Sequence, residues 1–251
     1  MKQIEVIEAL DQKLEIERFA DYGPNGLQVE GDGREVKQVA LGVSLSLELI
    51  EVAAQNRADL IITHHGILWD GQDPRIQGPF AKKLKLLLAN GMAAASYHLP
   101  LDFHPELGNN IGLARLLGLE EIEFILPKAD YHIGVMGRPR QGGIEKLSSQ
   151  IEKALGRTPQ VLAFGPQVIK RLAIVSGGAQ KSFIKVVQAG ADAFLTGEAS
   201  EQNYAEAQEL GAHYIAAGHY ATERLGILAL ENWLEEELGL DCLMIESENP
   251  L

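Results

Sequence analysis

The chain has 251 residues, of which 46% are hydrophobic and 23% are charged, and these are the proportions of an ordinary globular protein. The 35 acidic residues outnumber the 22 Lys and Arg residues, and the net charge of −13 argues against a nucleic-acid-binding surface. No apolar run reaches the roughly 18 residues that a membrane-spanning helix needs. The single cysteine excludes an internal disulfide and a cysteine-based metal cluster, so any metal must be bound by His and carboxylate side chains.

The N-terminal segment, residues 1–21, is charged throughout and contains no apolar core followed by small residues. It therefore has the pattern of neither a secretory signal nor a transit peptide. We expect a cytoplasmic protein with no membrane partner.

The first half of the chain alternates strands and helices. Apolar residues at helical spacing predict a helix near the start, and a Gly-Pro-Asn-Gly run ends it. A strand over 39–46, a helix over 47–55 and a strand over 59–63 follow, which is the pattern of a parallel strand-helix-strand unit. Pro79 begins another helix, and a strand over 92–97 leads into the sequence HLPLD.

The second half repeats this order. Strands over 172–175 and 192–195 flank a helix over 182–188. ADLIIT at 58–63 aligns with ADAFLT at 191–196, an offset of 133 residues. In each half a helix, a glycine, an apolar strand and a His follow, and this ordered series indicates an internal duplication.

The matched histidines are each followed by a carboxylate four residues later, His98 by Asp102 and His219 by Glu223. We predict an α/β fold of two similar lobes related by a pseudo-two-fold axis, with a metal site in the cleft between them. The lobes cover residues 1–126 and 127–251, and the C-terminal helix can be exchanged onto the first lobe. Parallel strands place their C-terminal ends, and hence ligand sites, along one edge of a sheet.

Two adjacent histidines, His64 and His65, end the strand at 59–63. Successive strand side chains point to opposite faces, so we expect each His to bind one of two cations, held roughly 3.5–4 Å apart as in two-metal hydrolytic sites. Asp102, His219 and Glu223 complete the predicted ligand set. His with carboxylate suits Zn, Fe, Mn, Co or Ni, and five ligands leave vacant positions on two ions, as in catalytic metal sites.

Other polar residues have two interpretations each. Glu198 occupies the strand-end position in the second half that the His pair occupies in the first, and it is either a proton-transfer group or a salt-bridged surface residue. His98 either assists catalysis, by orienting Asp102 or moving a proton, or simply packs. Ser176-Gly177-Gly178 either offers N–H groups to an anion or is a turn.

The remaining histidines have no partner at an informative spacing, and we interpret them as structural. They are His104, His132 and His213. The chain also lacks the glycine-rich patterns of ordinary nucleotide-binding loops.

Several segments resemble the GTP cyclohydrolase 1 type 2 homologues, dinuclear metal-binding proteins also called Nif-three-like. They are PNGLQVEG (24–31), THHG (63–66), SYHLPLDFHPELGNN (96–110), SGGA (176–179), TGE (196–198) and GHYATE (218–223). The resemblance covers the whole chain and is to the short bacterial form. It implies the same five metal ligands, two divalent ions per subunit, a ring-shaped homohexamer and hydrolytic opening of the guanine imidazole ring of GTP.

These observations leave three hypotheses. The first is a metal-dependent hydrolase that activates water to attack GTP or a related purine nucleotide, although the sequence shows no guanine pocket or triphosphate clamp. The second is a hexameric protein that binds or delivers metal, or binds a partner, without catalysis. The third is a scaffold that acts through its assembly surface.

Overall fold

The computed structural model describes residues 1–140 and 142–251. In this part of the chain the strands form two sheets with helices around them, so the predicted α/β class is confirmed. Within the same residues, no helix combines the length and the apolar character needed to cross a membrane.

The chain divides into two compact units. The first unit consists of Met1–Leu101 and Gly226–Glu248, and the second of Asp102–Leu225 and Asn249–Leu251. The division expected from the sequence, between residues 126 and 127, lies within a strand of the second unit. The segment Gly226–Glu248 belongs to the first unit although it follows the second in sequence, and the exchange of the C-terminal helix stays a prediction.

The first unit contains a five-stranded sheet. Its strands are β1 (Gly26–Val29), β2 (Gln38–Ser44), β3 (Leu60–His65), β4 (Ala93–Ser96) and β11 (Asp241–Met244), in the order β1-β4-β3-β2-β11. All neighbours are parallel except β1 and β4. The helices are α1 (Gln3–Lys13), α2 (Leu47–Gln55), α3 (Gly78–Ala89) and the later part of α9 (His219–Leu238). Buried Ile, Leu and Ala side chains of β2, β3 and α2 form part of its core.

The second unit contains a six-stranded sheet. Its strands are β5 (Glu120–Lys128), β6 (Tyr131–Arg138), β7 (Gln160–Ala163), β8 (Leu172–Ile174), β9 (Ala193–Thr196) and β10 (His213–Ala216), in the order β5-β6-β8-β9-β10-β7. Its helices are α5 (Asn109–Leu116), α6 (Ile144–Leu155), α7 (Phe183–Gln188), α8 (Gln202–Leu210) and the first turns of α9; α4 (Leu99–Phe103) contains the residues at which the first unit ends. Two apolar clusters form its core.

The offset of 133 residues is visible in the strand pairing. Val39 of β2 pairs with Leu60 of β3, and Leu172 of β8 pairs with Ala193 of β9 in the same parallel register. The third strand of each set, β4 or β10, adds on the same side and is also parallel. The sequence repeat therefore corresponds to a repeated three-stranded parallel core.

In each three-stranded core, an aspartate at the same repeat position accepts two backbone N–H groups. Asp59 Oδ2 accepts the backbone N–H groups of Lys37 and Gln38, at 2.9 and 3.1 Å. Asp192 Oδ2 accepts those of the two residues at 170 and 171, at 2.7 and 3.0 Å. The backbone N–H groups where the chain enters β2 and β8 need acceptors, and the matched ADLIIT and ADAFLT segments each supply one through the aspartate.

Candidate metal centre

The His pair lies at the C-terminal end of β3. His64 is fully buried, and its Nδ1 lies 3.0 Å from the carbonyl oxygen of Tyr97. His65 is half-buried, and its Nδ1 lies 3.0 Å from Ser44 Oγ. The two ring centroids are only 4.6 Å apart, although strand alternation predicts opposite faces.

The third imidazole is His98, which follows β4. Its Nδ1 lies 2.7 Å from Asp21 Oδ1, and its backbone N–H donates to Asn25 Oδ1 at 2.8 Å. The His98 ring centroid is 5.1 Å from that of His64 and 5.6 Å from that of His65. The bonded partner of this ring is thus Asp21, a residue that the sequence did not single out.

Asp21 is tightly fixed in the first unit. Its side chain is 2% exposed, and its Oδ2 accepts the N–H of Leu99 at 2.8 Å and the amide of Asn25 at 3.0 Å. Burial raises the pKa of the Asp21 carboxyl, but the hydrogen bonds from His98 and Asn25 outweigh burial and hold that pKa below its ordinary value. Asp21 is therefore a carboxylate that accepts a hydrogen bond from the His98 ring.

The motif PNGLQVEG supports the loop that follows the His pair. Gln28 Oε1 accepts the N–H of Ile67 at 2.9 Å, and its amide donates to the carbonyl oxygen of Pro24. A Cβ at Gly66 would lie 2.3 Å from Gln28 Oε1, so a side chain at this position would displace Gln28. The conformation of the chain after β3 therefore depends on a glycine and a glutamine from separate segments.

The three imidazoles form a group suited to a cation. His64, His65 and His98 offer ligand atoms that lie within 4.8 Å of one another. The Nδ1 atoms of His64 and His98 face oxygens that accept, which favours the tautomer that carries its lone pair on Nε2, whereas the Ser44 hydroxyl at His65 Nδ1 can donate or accept. Neutral imidazole oriented in this way is the usual form of a histidine metal ligand.

In the second unit, α9 begins with a histidine and a carboxylate one turn apart. His219 Nε2 lies 3.1 Å from Glu223 Oε2, and His219 Nδ1 lies 2.6 Å from Glu198 Oε1. The hydrogen bond to Glu223 raises the pKa of His219 to about 9, against the effect of burial, and Glu198 adds to the increase. Glu198 Oε2 also accepts from Gln180 at 3.2 Å, so Glu198 is engaged on both oxygens.

The Ser-Gly-Gly segment after β8 is a turn that packs against Glu223. Gly177 has φ of +62°, and a Cβ at this position would lie 1.9 Å from Glu223 Oε1. Its N–H donates to Thr222 Oγ1 at 3.0 Å. Only glycine combines this backbone conformation with the space that the carboxylate occupies.

Asp102 is fixed by hydrogen bonds within the second unit. The side chain is 5% exposed, and its Oδ1 accepts from Asn109 Nδ2 at 3.0 Å and from Ser176 Oγ at 2.9 Å. The N–H of Ser176 donates to Asn110 Oδ1 at 2.8 Å, which fixes the serine. Asp102 is thus a buried carboxylate with a defined orientation.

The three histidines interpreted as structural have contacts of their own. His104 Nδ1 accepts the N–H groups of Glu106 and Leu107, and so stabilises the turn after α4. His213 Nδ1 accepts the N–H of Gly165, and its Nε2 lies 2.9 Å from the carbonyl oxygen of residue 166. His132 is exposed on β6. Those interpretations agree with the structure for His104 and His213.

Comparisons with known proteins identify the family. The family model described as Duf34/NIF3 (NGG1p interacting factor 3) matches residues 1–250. The chain belongs to this family. It is 44% identical over 254 residues to the GTP cyclohydrolase 1 type 2 homolog of Escherichia coli K12, with both chains fully covered. It is similar over its full length to the solved structure of protein ybgI, of unknown function, with 42% identity and a TM-score of 0.96, and to that of TTHA1606 from Thermus thermophilus, with 32% identity and a TM-score of 0.90.

The family resemblance found in the sequence is therefore confirmed. The His, Asp and Glu groups described above include atoms suited to a metal ion. The roles of individual residues as ligands or proton-transfer groups stay predictions.

Proposed function

We propose that this Duf34/NIF3 chain is a cytoplasmic hydrolase that depends on two divalent metal ions per subunit and acts on a purine nucleotide such as GTP. The expected ligands come from both units and are His64, His65, Asp102, His219 and Glu223. The observation that carries the proposal is the orientation of these side chains. In four of them a side-chain atom is hydrogen-bonded to another residue of the same unit. The pairs are His64 with Tyr97, His65 with Ser44, Asp102 with Ser176 and His219 with Glu198.

Such support is typical of metal sites, because a ligand that is already oriented loses less entropy when it binds a cation. The donor chemistry fits as well. Three imidazoles and two carboxylates suit Zn, Fe, Mn, Co or Ni, and the two carboxylates neutralise two divalent cations only in part. The remaining positive charge would attract an anionic substrate such as a nucleotide.

When bound, the cations would supply an acidified water and stabilise developing negative charge. The chain's own residues orient the ligands. Glu198 accepts the hydrogen bond of His219 Nδ1, so Nε2, which faces Glu223 at 3.1 Å, would be the atom of His219 that binds a cation. Ser176 and Asn109 fix Asp102. Proton transfer by Glu198 or by His98 stays a prediction.

The proposal includes a homohexameric ring, which the family resemblance supports. Native mass spectrometry of the purified chain measures the number of subunits directly. A mass of six chains is the expected result, and a monomer or dimer at micromolar concentration would contradict this part of the proposal.

Activity is tested on protein that has been stripped with a chelator and reloaded separately with each of the five metals. Loss of GTP and formation of a ring-opened product are followed by mass spectrometry. We expect turnover with at least one metal and none after Glu223→Gln, since Gln keeps the shape of the side chain and removes its charge. Glu237→Gln, an exposed position on α9, is the matched control and should leave turnover unchanged.

The outcomes separate the hypotheses. Binding of metal at these residues without turnover across a panel of purine nucleotides would exclude the hydrolase and favour the metal-binding or metal-delivering protein. Equal metal content in the wild type and in Glu223→Gln would contradict the ligand set itself.

A further inference from the structure

We propose that Trp69 is a stacking platform, an aromatic surface on which the purine ring of the substrate lies flat, and that Tyr22 extends it. The inference deepens the proposed function and rests on it in one respect, because the substrate class, a purine nucleotide, is taken from there. It assigns a role to two aromatic side chains outside the expected metal ligands and proton-transfer groups, and it predicts how the first unit selects among bases.

Both aromatic rings lie beside imidazoles of the first unit. The Trp69 ring meets the His98 ring edge-on, with centroids 5.2 Å apart, and its centroid lies 6.1 Å from that of His65. The Tyr22 ring lies 6.1 Å from the His98 ring, measured between centroids. A base that stacks on these rings would therefore lie next to residues that are expected to bind metal.

The two rings are held in place by contacts of their backbones. The N–H of Asp70 donates to the carbonyl oxygen of Tyr22 at 2.7 Å. The N–H of Trp69 donates to Gln72 Oε1 at 3.2 Å, and the N–H of Gln72 donates to the Trp69 carbonyl oxygen at 3.1 Å. A Cβ at Gly23 would lie 2.4 Å from the carbonyl oxygen of the residue before Trp69, so the close approach of the two loops requires a glycine. A surface that is already ordered loses little entropy when a ligand binds to it.

The exposure of the rings leaves them open to a ligand. Tyr22 is 63% exposed and Trp69 is half-buried, so part of each ring faces solvent. One exposed tyrosine would be ordinary, but two ordered aromatic rings beside a group of imidazoles are typical of a site for a planar ligand. Every nucleotide base has a π-face that can stack on such rings.

The polar side chains near Trp69 are engaged by the protein itself. A small pocket beside the ring is lined by Asn25 and Gln28 together with His98. Both amides are bonded within the chain at the nitrogen and at the oxygen. Hydrogen bonds to the edge of a base distinguish guanine from adenine, whereas stacking contacts all purines alike. We therefore expect this surface to bind GTP and ATP with similar affinity and UTP, with its smaller ring, more weakly.

The first test measures nucleotide binding through the fluorescence of Trp69. The chain has two tryptophans, so Trp233→Phe, at a half-buried position of α9, is the background that isolates Trp69. Full-length protein of this background, metal-free and zinc-loaded, is titrated with GTP, ATP, UTP, guanosine and inorganic triphosphate. We expect saturable quenching by GTP, ATP and guanosine, less by UTP and none by inorganic triphosphate, because only a base can stack on the indole.

The second test measures affinity for GTP by calorimetry, which does not depend on Trp69 emission. Trp69→Ala should weaken binding by about 5–150-fold, the usual effect of removing one stacking ring, and Tyr22→Ala should weaken it less. Tyr204→Ala removes an aromatic ring of similar exposure, 56%, from α8 and is the matched control that should bind GTP as the wild type does. If Trp69→Ala does not fold, judged by circular dichroism, Trp69→Leu decides the question, since it keeps an apolar side chain and has no ring.

The outcomes are distinguishable from those of the proposed function. Quenching by purines and weaker binding in Trp69→Ala, without turnover of any nucleotide, would leave this inference standing and reject the hydrolase. If turnover is found, Trp69→Ala should raise KM and change kcat little, because stacking binds substrate and transition state alike. Wild-type affinity for GTP in the folded Trp69 variants, or no binding of GTP, ATP and guanosine to the wild type, would overturn the inference even where turnover occurs. A tenfold preference for GTP over ATP would overturn its statement on selectivity.

Discussion

The two sheets share a scaffold and differ in the chemistry at their strand ends. β2 and β3 in the first unit and β8 and β9 in the second pair in the same register, 133 residues apart. At the end of β3 the chain presents His64 and His65, whereas the same positions after β9 are Gly197 and Glu198. The first unit therefore supplies imidazoles, and the second supplies mainly carboxylates.

The preceding strand shows the same contrast. Ser44 at the end of β2 holds His65 through its hydroxyl. The residue 133 positions later is Gly177, whose missing side chain leaves room for Glu223. The same repeat position thus contacts His65 through a hydrogen bond in the first unit and leaves space for Glu223 in the second. The two units therefore share the strands and their aspartates and differ in the residues beyond the strand ends.

The largest effect is expected from Gly177→Ala. The new Cβ would meet Glu223 Oε1 at 1.9 Å and would hold a residue other than glycine at φ of +62°. Left-handed backbone costs about 1–2 kcal/mol and overpacking about 1–3 kcal/mol more, so we expect a loss of about 2–5 kcal/mol in the free energy of unfolding, measured with urea. Zinc binding should weaken as well, because Glu223 must move.

Gly156→Ala is the matched control for this change. Gly156 has φ of +71°, and nothing lies within 4 Å of the Cβ that would be added. It should show the backbone cost alone and leave zinc binding unchanged. Equal destabilisation by both substitutions would show that the contact with Glu223 is unimportant.

A pair of aspartate substitutions tests whether the two scaffolds are equivalent. Asp59→Ala and Asp192→Ala each remove an oxygen that accepts two backbone N–H groups. Unsatisfied N–H groups cost about 1–3 kcal/mol when buried, and partial exposure places both substitutions toward the lower end of that range. We expect urea unfolding to give equal losses for the two variants to within about 0.5 kcal/mol. A large loss in only one of them would mean that the repeated contact matters in one unit alone.

The repeated scaffold could be predicted from the sequence because it is local. The strand-helix-strand order, the alignment of ADLIIT with ADAFLT and the glycine that ends each following helix are read from neighbouring residues. The hairpin of β5 and β6 is not predictable in this way, because β5 is largely exposed and lacks the apolar pattern of a buried strand. The expected division between the lobes, between residues 126 and 127, falls within β5.

The site was predictable only in part, for a similar reason. The His-x-x-x-carboxylate spacing singled out residues on one turn of a helix, as His219 and Glu223 are. The bond between His98 and Asp21 joins residues 77 positions apart, and no local spacing reveals it. The closest signal was the turn-forming composition after Asp21, where Asn25 also lies; a turn that follows a helix often carries side chains that cap a neighbouring segment.

The titration of His219 tests the carboxylate-rich chemistry of the second unit, because Glu223 lies at Nε2 of the ring and Glu198 at Nδ1. In metal-free protein its pKa is raised from 6.5 to about 9, chiefly by the hydrogen bond with Glu223. A group whose pKa is raised on folding stabilises the fold fully below its unfolded pKa, so this contribution is present below pH 6.5 and is lost as the pH rises through about 9. Histidine NMR signals followed against pH should give a midpoint near 9 for His219. Glu223→Gln should lower that midpoint, and an unchanged midpoint would mean that Glu223 does not hold the proton.

The smallest effect is expected from Ser44→Ala, which removes the side chain that orients His65. The hydrogen bond is neutral and partly exposed, so its net worth is about 0.5–1.5 kcal/mol, and zinc affinity should fall by about twofold to tenfold. Ser149→Ala, at an exposed position on α6, is the control and should bind zinc as the wild type does. Because Ser44 and Gly177 occupy the same repeat position, Ser44→Gly should give the same loss of affinity as Ser44→Ala, whereas Gly177→Ser should be at least as damaging as Gly177→Ala. Tolerance of serine at both positions would show that the two units support their ligands in the same way, and the contrast between hydrogen bond and empty space would then be wrong.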